Sequence, residues 1–223
     1  MKQKWGVAGF AAGLLLTLGA ILFSVLAPAL SESRFERALL ANVDAAAGIS
    51  EQELSRFASD TIGYIGGAAS EWSPRVSVGG APMPVPAAFT AHMARVRAGV
   101  ALAKGLCVGC FALGLALLVL CAVRARRGSR FPRCAYLWGV ALPLCGTLAL
   151  CAWAAIDFGG FWGWLHYTFI PDGVFAFDEP IMRLFPLSLF ADYIAPVAAL
   201  LALSLCAVGA PALADRLKGK EKP

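Results

Sequence analysis

Charge is scarce in this 223-residue chain: Asp, Glu, Lys and Arg make up 15% of it, against about 25% in an average soluble domain. That scarcity excludes an ordinary water-soluble fold, whose helices must present a polar face to solvent. Histidine is scarcer still, with only His92 and His166, so any chemistry that needs imidazole rests on those two. No HxxxH or HxH spacing is present, which leaves a zinc site without its usual sequence support. Cysteine is absent from the polar segments. All seven (Cys107, Cys110, Cys121, Cys134, Cys145, Cys151 and Cys206) fall in or at the edges of apolar runs, so no disulfide framework is expected. The CxxC spacing of Cys107 and Cys110 reads as small apolar packing.

What the chain has instead is apolar sequence, 59% by composition, gathered into four runs long enough to cross a bilayer, which takes about 20 residues. They are 5–30, 98–123, 134–156 and 193–214. Only the second carries a charge, Lys104 near its start, where a long side chain can snorkel to the headgroups. Pro143, Pro196 and Pro211 are expected to bend the later spans or mark their ends. Gly105 and Gly109 supply a GxxxG pair for close helix contact. The expected fold class is an all-α polytopic membrane protein with four transmembrane helices in a single membrane domain, 1–223.

Orientation follows from the basic residues, which are enriched in short cytoplasmic segments. Lys2 and Lys4, the link at 124–133 with its five arginines, and the tail at 215–223 together hold eleven of the nineteen basic residues and two of the fourteen acids. An even number of spans lets all three share the cytoplasmic side of a multi-pass cell-membrane protein, so segments 31–97 and 157–192 face outward. The Ala27, Pro28, Ala29 triplet imitates a signal-peptide cleavage site. The apolar run before it exceeds the roughly 7–15 residues of a signal h-region, and a retained helix is expected.

The first outward segment is expected to form a small extracytoplasmic cap. Phe35, Leu39, Leu40 and Val43 recur at helical spacing, and Ser50 with Glu53 forms a capping box before Leu54, Phe57 and Ala58, which predicts two short amphipathic helices. Glu32, Glu36, Asp44, Glu51 and Glu53 read as a solvated face. The Gly- and Pro-rich stretch after Tyr64 allows at most a short hairpin, through Arg75–Val78 and Met83–Val85. Thr90 is the expected N-cap of the second span. That places His92 in the first turn, where the helix dipole favours neutral imidazole. The second outward segment is dense in aromatics, with His166, Asp172, Asp178, Glu179 and Arg183 among them. An interfacial belt explains the rings but not these polar residues, and Pro171, Pro180 and Pro186 break the segment into pieces suited to an aromatic re-entrant loop over a lateral pocket.

Two stretches carry a resemblance. Ala91-His92-Met93-Ala94-Arg95-Val96-Arg97 is similar to a motif of histidine, an apolar residue, any residue, an acid, valine and a base. Phe158–Asp192, with Trp164-Leu165-His166-Tyr167-Thr168-Phe169 and then Phe177, Asp178, Ile181, Leu184, Phe185, Pro186, Phe190 and Asp192, is the second. Together they resemble a family of four-helix bacterial integral membrane proteins that includes the lipoprotein intramolecular transacylase. The resemblance implies acyl migration in the bacterial cell envelope, from the sn-2 ester of an S-diacylglyceryl cysteine to that residue's own α-amino group. Its partners would be diacylated lipoproteins and membrane lipids, with no cofactor and no nucleic acid, and its catalytic residues would be His92 and His166.

The chemistry is coherent, since the amine must lose a proton and the departing oxygen must gain one, both within reach of imidazole near neutral pH. The motif departs at Arg95, which stands where the family has an acid. Asp172 and Asp178 are then the candidates to orient an imidazole, and Arg95 the candidate to bind a lipid phosphate or stabilise an oxyanion; Arg183 is a further candidate to position substrate. Two other readings use the same residues: a non-catalytic scaffold or lipid-binding protein, and a zinc-dependent hydrolase that joins His92 and His166 with Asp172, Asp178 or Asp192. The transacylase reading expects the two imidazoles to face each other.

Overall fold

The computed structural model describes residues 2–43, 48–78, 80–170 and 179–220, with side chains from Trp5 to Leu213. Its helices are α1 (Lys2–Ala29), α2 (Glu32–Asn42), α3 (Glu51–Gly66), α4 (Ala87–Arg126), α5 (Arg133–Ile156), α6 (Phe158–Phe169), α7 (Leu187–Ala191) and α8 (Ile194–Lys220). A 3-10 turn occupies Pro180–Leu184, and the strands β1 (Ser77–Val78) and β2 (Ala81–Pro82) form a hairpin. Four helices, Trp5–Ala29, Ala87–Arg126, Arg133–Ile156 and Ile194–Leu213, are long and apolar enough to cross a membrane, and the chain is a multi-pass membrane protein. Pro196 falls in the first turn of α8, whereas Pro143 and Pro211 lie inside continuous helices. At 40 residues, α4 is about 60 Å long, twice the roughly 30 Å of hydrocarbon. Its apolar stretch 98–123 suffices to span, and Ala87–Arg97 precedes it.

The chain divides into two compact units. Residues 2–25, 104–152 and 198–220 form the first; the second takes the described residues of 26–103 and 153–197. In the first unit the core is Ala12, Leu16, Ala20, Tyr136, Val208 and Ala212, while Val108, Trp138 and Leu203 are exposed, as lipid-facing side chains are. Helix α1 meets α5 through glycine. A side chain at Gly13 would run into the Tyr136 carbonyl, one at Gly139 into the Phe10 carbonyl, and one at Gly9 into Pro132. The Tyr136 hydroxyl donates to the Val208 carbonyl at 2.6 Å. Gly105 and Gly109, the expected contact pair, have open space where a Cβ would stand. The GxxxG that meets a partner is therefore Gly9 with Gly13.

In the second unit, α2 and α3 form as expected and bury Phe35, Leu39, Leu54 and Phe57, whereas Leu40 is exposed. Ser50 and Glu53 make the capping box. The acids are more than a solvated face. Glu53 also accepts from the Ser77 backbone N–H at 3.0 Å, tying α3 to the hairpin, and Glu36 accepts from the Ser55 hydroxyl, tying α2 to α3. Asp44 lies outside the described residues. The hairpin pairs Ser77 with Pro82 and Val78 with Ala81, so its second strand starts two residues earlier than expected. Proline and glycine permit only a tight return here, with Gly80 at a φ of 83°.

Candidate functional site

Helix α4 begins at Ala87 and is not N-capped by Thr90, because the Pro86 carbonyl already accepts from the N–H groups of Phe89 and Thr90. His92 is therefore in the second turn, beyond the orphan N–H groups of the helix end. It lies in the core of the second unit, 7% exposed, beside buried Phe89 and Met93. Burial disfavours the imidazolium, and the His166 ring and the Arg95 guanidinium add to the effect, lowering the His92 pKa from 6.5 to about 4. The neutral imidazole expected from a helix dipole is thus produced chiefly by desolvation.

His166 belongs to α6, a helix started by Asp157, whose carboxylate accepts from the Gly160 N–H at 2.9 Å. Its ring nitrogen Nδ1 is 3.1 Å from the Trp162 carbonyl one turn earlier. A carbonyl can only accept, so this contact selects the tautomer with its proton on Nδ1 and leaves the Nε2 lone pair available. The rings of His92 and His166 are 5.9 Å apart between centroids and within 15° of parallel. That spacing suits proton transfer through one water or one reacting group placed between nitrogens.

Four more rings complete a closed circuit. His166 contacts Trp162 at 4.6 Å, Trp162 stacks on Phe190 at 4.3 Å, Phe190 on Phe185 at 6.3 Å, Phe185 meets Phe89 at 5.4 Å, and Phe89 meets His92 at 5.8 Å. The intrahelical steps, Phe89 to His92 and Trp162 to His166, have the three- and four-residue spacings that place side chains on one helix face. Phe185 and Phe190 arrive from the segment around α7, in positions that sequence alone did not distinguish from an interfacial belt.

Of the other candidates, Arg95 is three residues along α4 from His92, and its charge acts on that ring. Arg183 is exposed on the 3-10 turn, and no described hydrogen bond joins it to either histidine. Asp172 and Asp178 lie outside the described residues. Asp192 accepts from the Asn42 side-chain amide at 2.6 Å, which anchors α2 to the chain after α7. No group of three or more His, Cys, Asp or Glu side chains suited to a metal ion occurs among the described residues.

Fold and ring pair together define a four-helix membrane-integral protein with two histidines brought together from separate helices. Among solved structures, it resembles that of the membrane-integral lipoprotein intramolecular transacylase Lit from Bacillus cereus, with a TM-score of 0.78, 11% identity, and 99% of each chain covered. A histidine-to-arginine variant of that enzyme superposes with a TM-score of 0.74 at 12% identity, over 100% of this chain and 96% of the other. No protein-family model matches the sequence, and no curated protein matches it. The shared property is the fold.

Proposed function

We propose that the protein is a membrane acyltransferase that converts a diacylated lipoprotein to its lyso form, with His92 and His166 moving the protons. The juxtaposition of its only two imidazoles carries the reading, and the likeness in fold to a lipoprotein transacylase supplies the substrate class. The α-amino nitrogen of the lipidated cysteine attacks the sn-2 ester carbonyl. An amide bond forms, the bond from that carbonyl to the sn-2 oxygen breaks, and the proton lost by nitrogen is delivered to the oxygen. No atom enters or leaves, so the chain's task is orientation and proton transfer.

The Nε2 of His166, which has no hydrogen bond among the described residues, suits the accepting role, and His92, held neutral, can pass a proton without storing charge. In this reading both termini and the arginine link are cytoplasmic, the histidines face outward, and Arg95 and Arg183 are the cations available to a lipid phosphate. Asp172 and Asp178 remain the acids proposed to orient an imidazole. Expression with a reporter lipoprotein in a host without its own transacylase tests the reading. Tandem mass spectrometry should show the acyl chain moved to nitrogen at unchanged total mass, and no such isomer with His92→Ala or His166→Ala. Conversion by both variants at the wild-type rate would remove the catalytic assignment.

A further inference from the structure

In the first unit, Arg133, Cys134, Leu137, Trp138 and Ala141 of α5 line a groove of about 300 Å³. Their spacing sets them in adjacent rows along one helix face, with the guanidinium at one end and apolar side chains along the rest. Trp138 is 67% exposed and Leu137 42%, as suits side chains that meet acyl chains rather than water. Arg133 also ends the run of five arginines in the link. Arg124, Arg126, Arg127 and Arg130 are exposed, with the Arg124 guanidinium 4.5 Å over the Trp5 ring. No acidic residue occurs in the sequence between Glu71 and Asp157, so nothing nearby along the chain offsets their charge.

We propose that this groove binds an anionic phospholipid, its phosphodiester on Arg133 and one acyl chain along Leu137, Trp138 and Ala141. The neighbouring arginines strengthen the attraction for a headgroup with net negative charge. A zwitterionic lipid offers the same chain, but its own cation is repelled by the link, so headgroup charge is the discriminating property. The inference is independent of the acyltransfer reading.

The test uses the full-length protein in vesicles of unlabelled phosphatidylcholine containing a minor fraction of brominated lipid, which quenches indole fluorescence on contact. The signal of Trp138 is isolated by difference against Trp138→Phe. Brominated phosphatidylglycerol should quench it as though enriched at least about fivefold over the same fraction of brominated phosphatidylcholine, the preference that one basic residue's attraction to anionic lipid already gives. Arg133→Gln should cut that preference about fivefold, leaving only what the neighbouring arginines supply. Equal quenching by the two lipids in the wild type would overturn the proposal, as would a preference left undiminished in Arg133→Gln. Loss of the wild-type preference on adding inorganic phosphate, against chloride at matched ionic strength, would assign the groove to a soluble anion and also overturn it.

Discussion

The imidazoles of His92 on α4 and His166 on α6 lie 5.9 Å apart and nearly parallel, although the helices that carry them are far apart in the chain. One ring is held neutral by burial, and the other has its Nδ1 committed to the Trp162 carbonyl. Each property has a measurable consequence.

Stability should fall in mild acid. The folded-state pKa of His92 is lowered from 6.5 to about 4, so between those values the unfolded chain binds more protons than the folded one. The contribution from the neutral ring is complete above about pH 6.5 and is lost as pH falls toward 4. Melting temperatures in detergent between pH 7 and 4 should decline for the wild type and decline less steeply for His92→Asn. Arg95→Glu should move the His92 titration upward, because it replaces a repelling charge with an attracting one.

The tautomer of His166 should be fixed. Nitrogen-15 shifts of the labelled ring in its neutral form should show the proton on Nδ1 and not on Nε2. The reverse pattern, or an even mixture, would contradict the bond to the Trp162 carbonyl.

The aromatic circuit should matter to turnover more than to binding. Phe190→Ala removes the ring stacked on Trp162, which in turn contacts His166. A displacement of about 1 Å at a reacting group can cost on the order of a hundredfold in rate, so kcat should fall well beyond any change in KM. A variant that changed KM alone would place Phe190 in substrate binding.

Helix packing gives a test that does not depend on activity. Gly13→Leu and Gly139→Leu each drive a side chain into a facing backbone carbonyl, and overpacking of this kind costs about 1–3 kcal/mol or more. Both should lower the melting temperature, whereas Gly105→Leu, with open space at its Cβ, should leave it near wild type.

The parts of this fold legible in the sequence are those governed by local chemistry. Four long apolar runs, charged only at Lys104, specify four spanning helices because lipid satisfies no backbone polar group, and Ser50 with Glu53 caps α3 because the capping box is a three-residue device. Spacing alone failed where the partner decides. Gly105 and Gly109 have the same separation as Gly9 and Gly13, yet only the latter pair is closely approached, Gly13 by α5 and Gly9 by Pro132 just before it, a matter of which face turns toward that segment. Likewise Thr90 has the chemistry of an N-cap, but Pro86 starts the helix one turn earlier and the two alanines after it continue it readily. The candidate histidines were legible from scarcity and from charge placement. Phe185 and Phe190 stood out only as members of a resembling stretch and Trp162 only as an aromatic, since nothing local marks which rings of a belt will enclose an imidazole.

The most direct test of the histidine pair uses purified protein and a synthetic diacylglyceryl-cysteine lipopeptide. Wild-type protein should yield an isomer of unchanged mass whose fragments carry the acyl chain on nitrogen and a free sn-2 hydroxyl, while His92→Ala and His166→Ala, folded by their melting curves, should yield none. Isomer formation by either variant at the wild-type rate would contradict proton transfer by the pair.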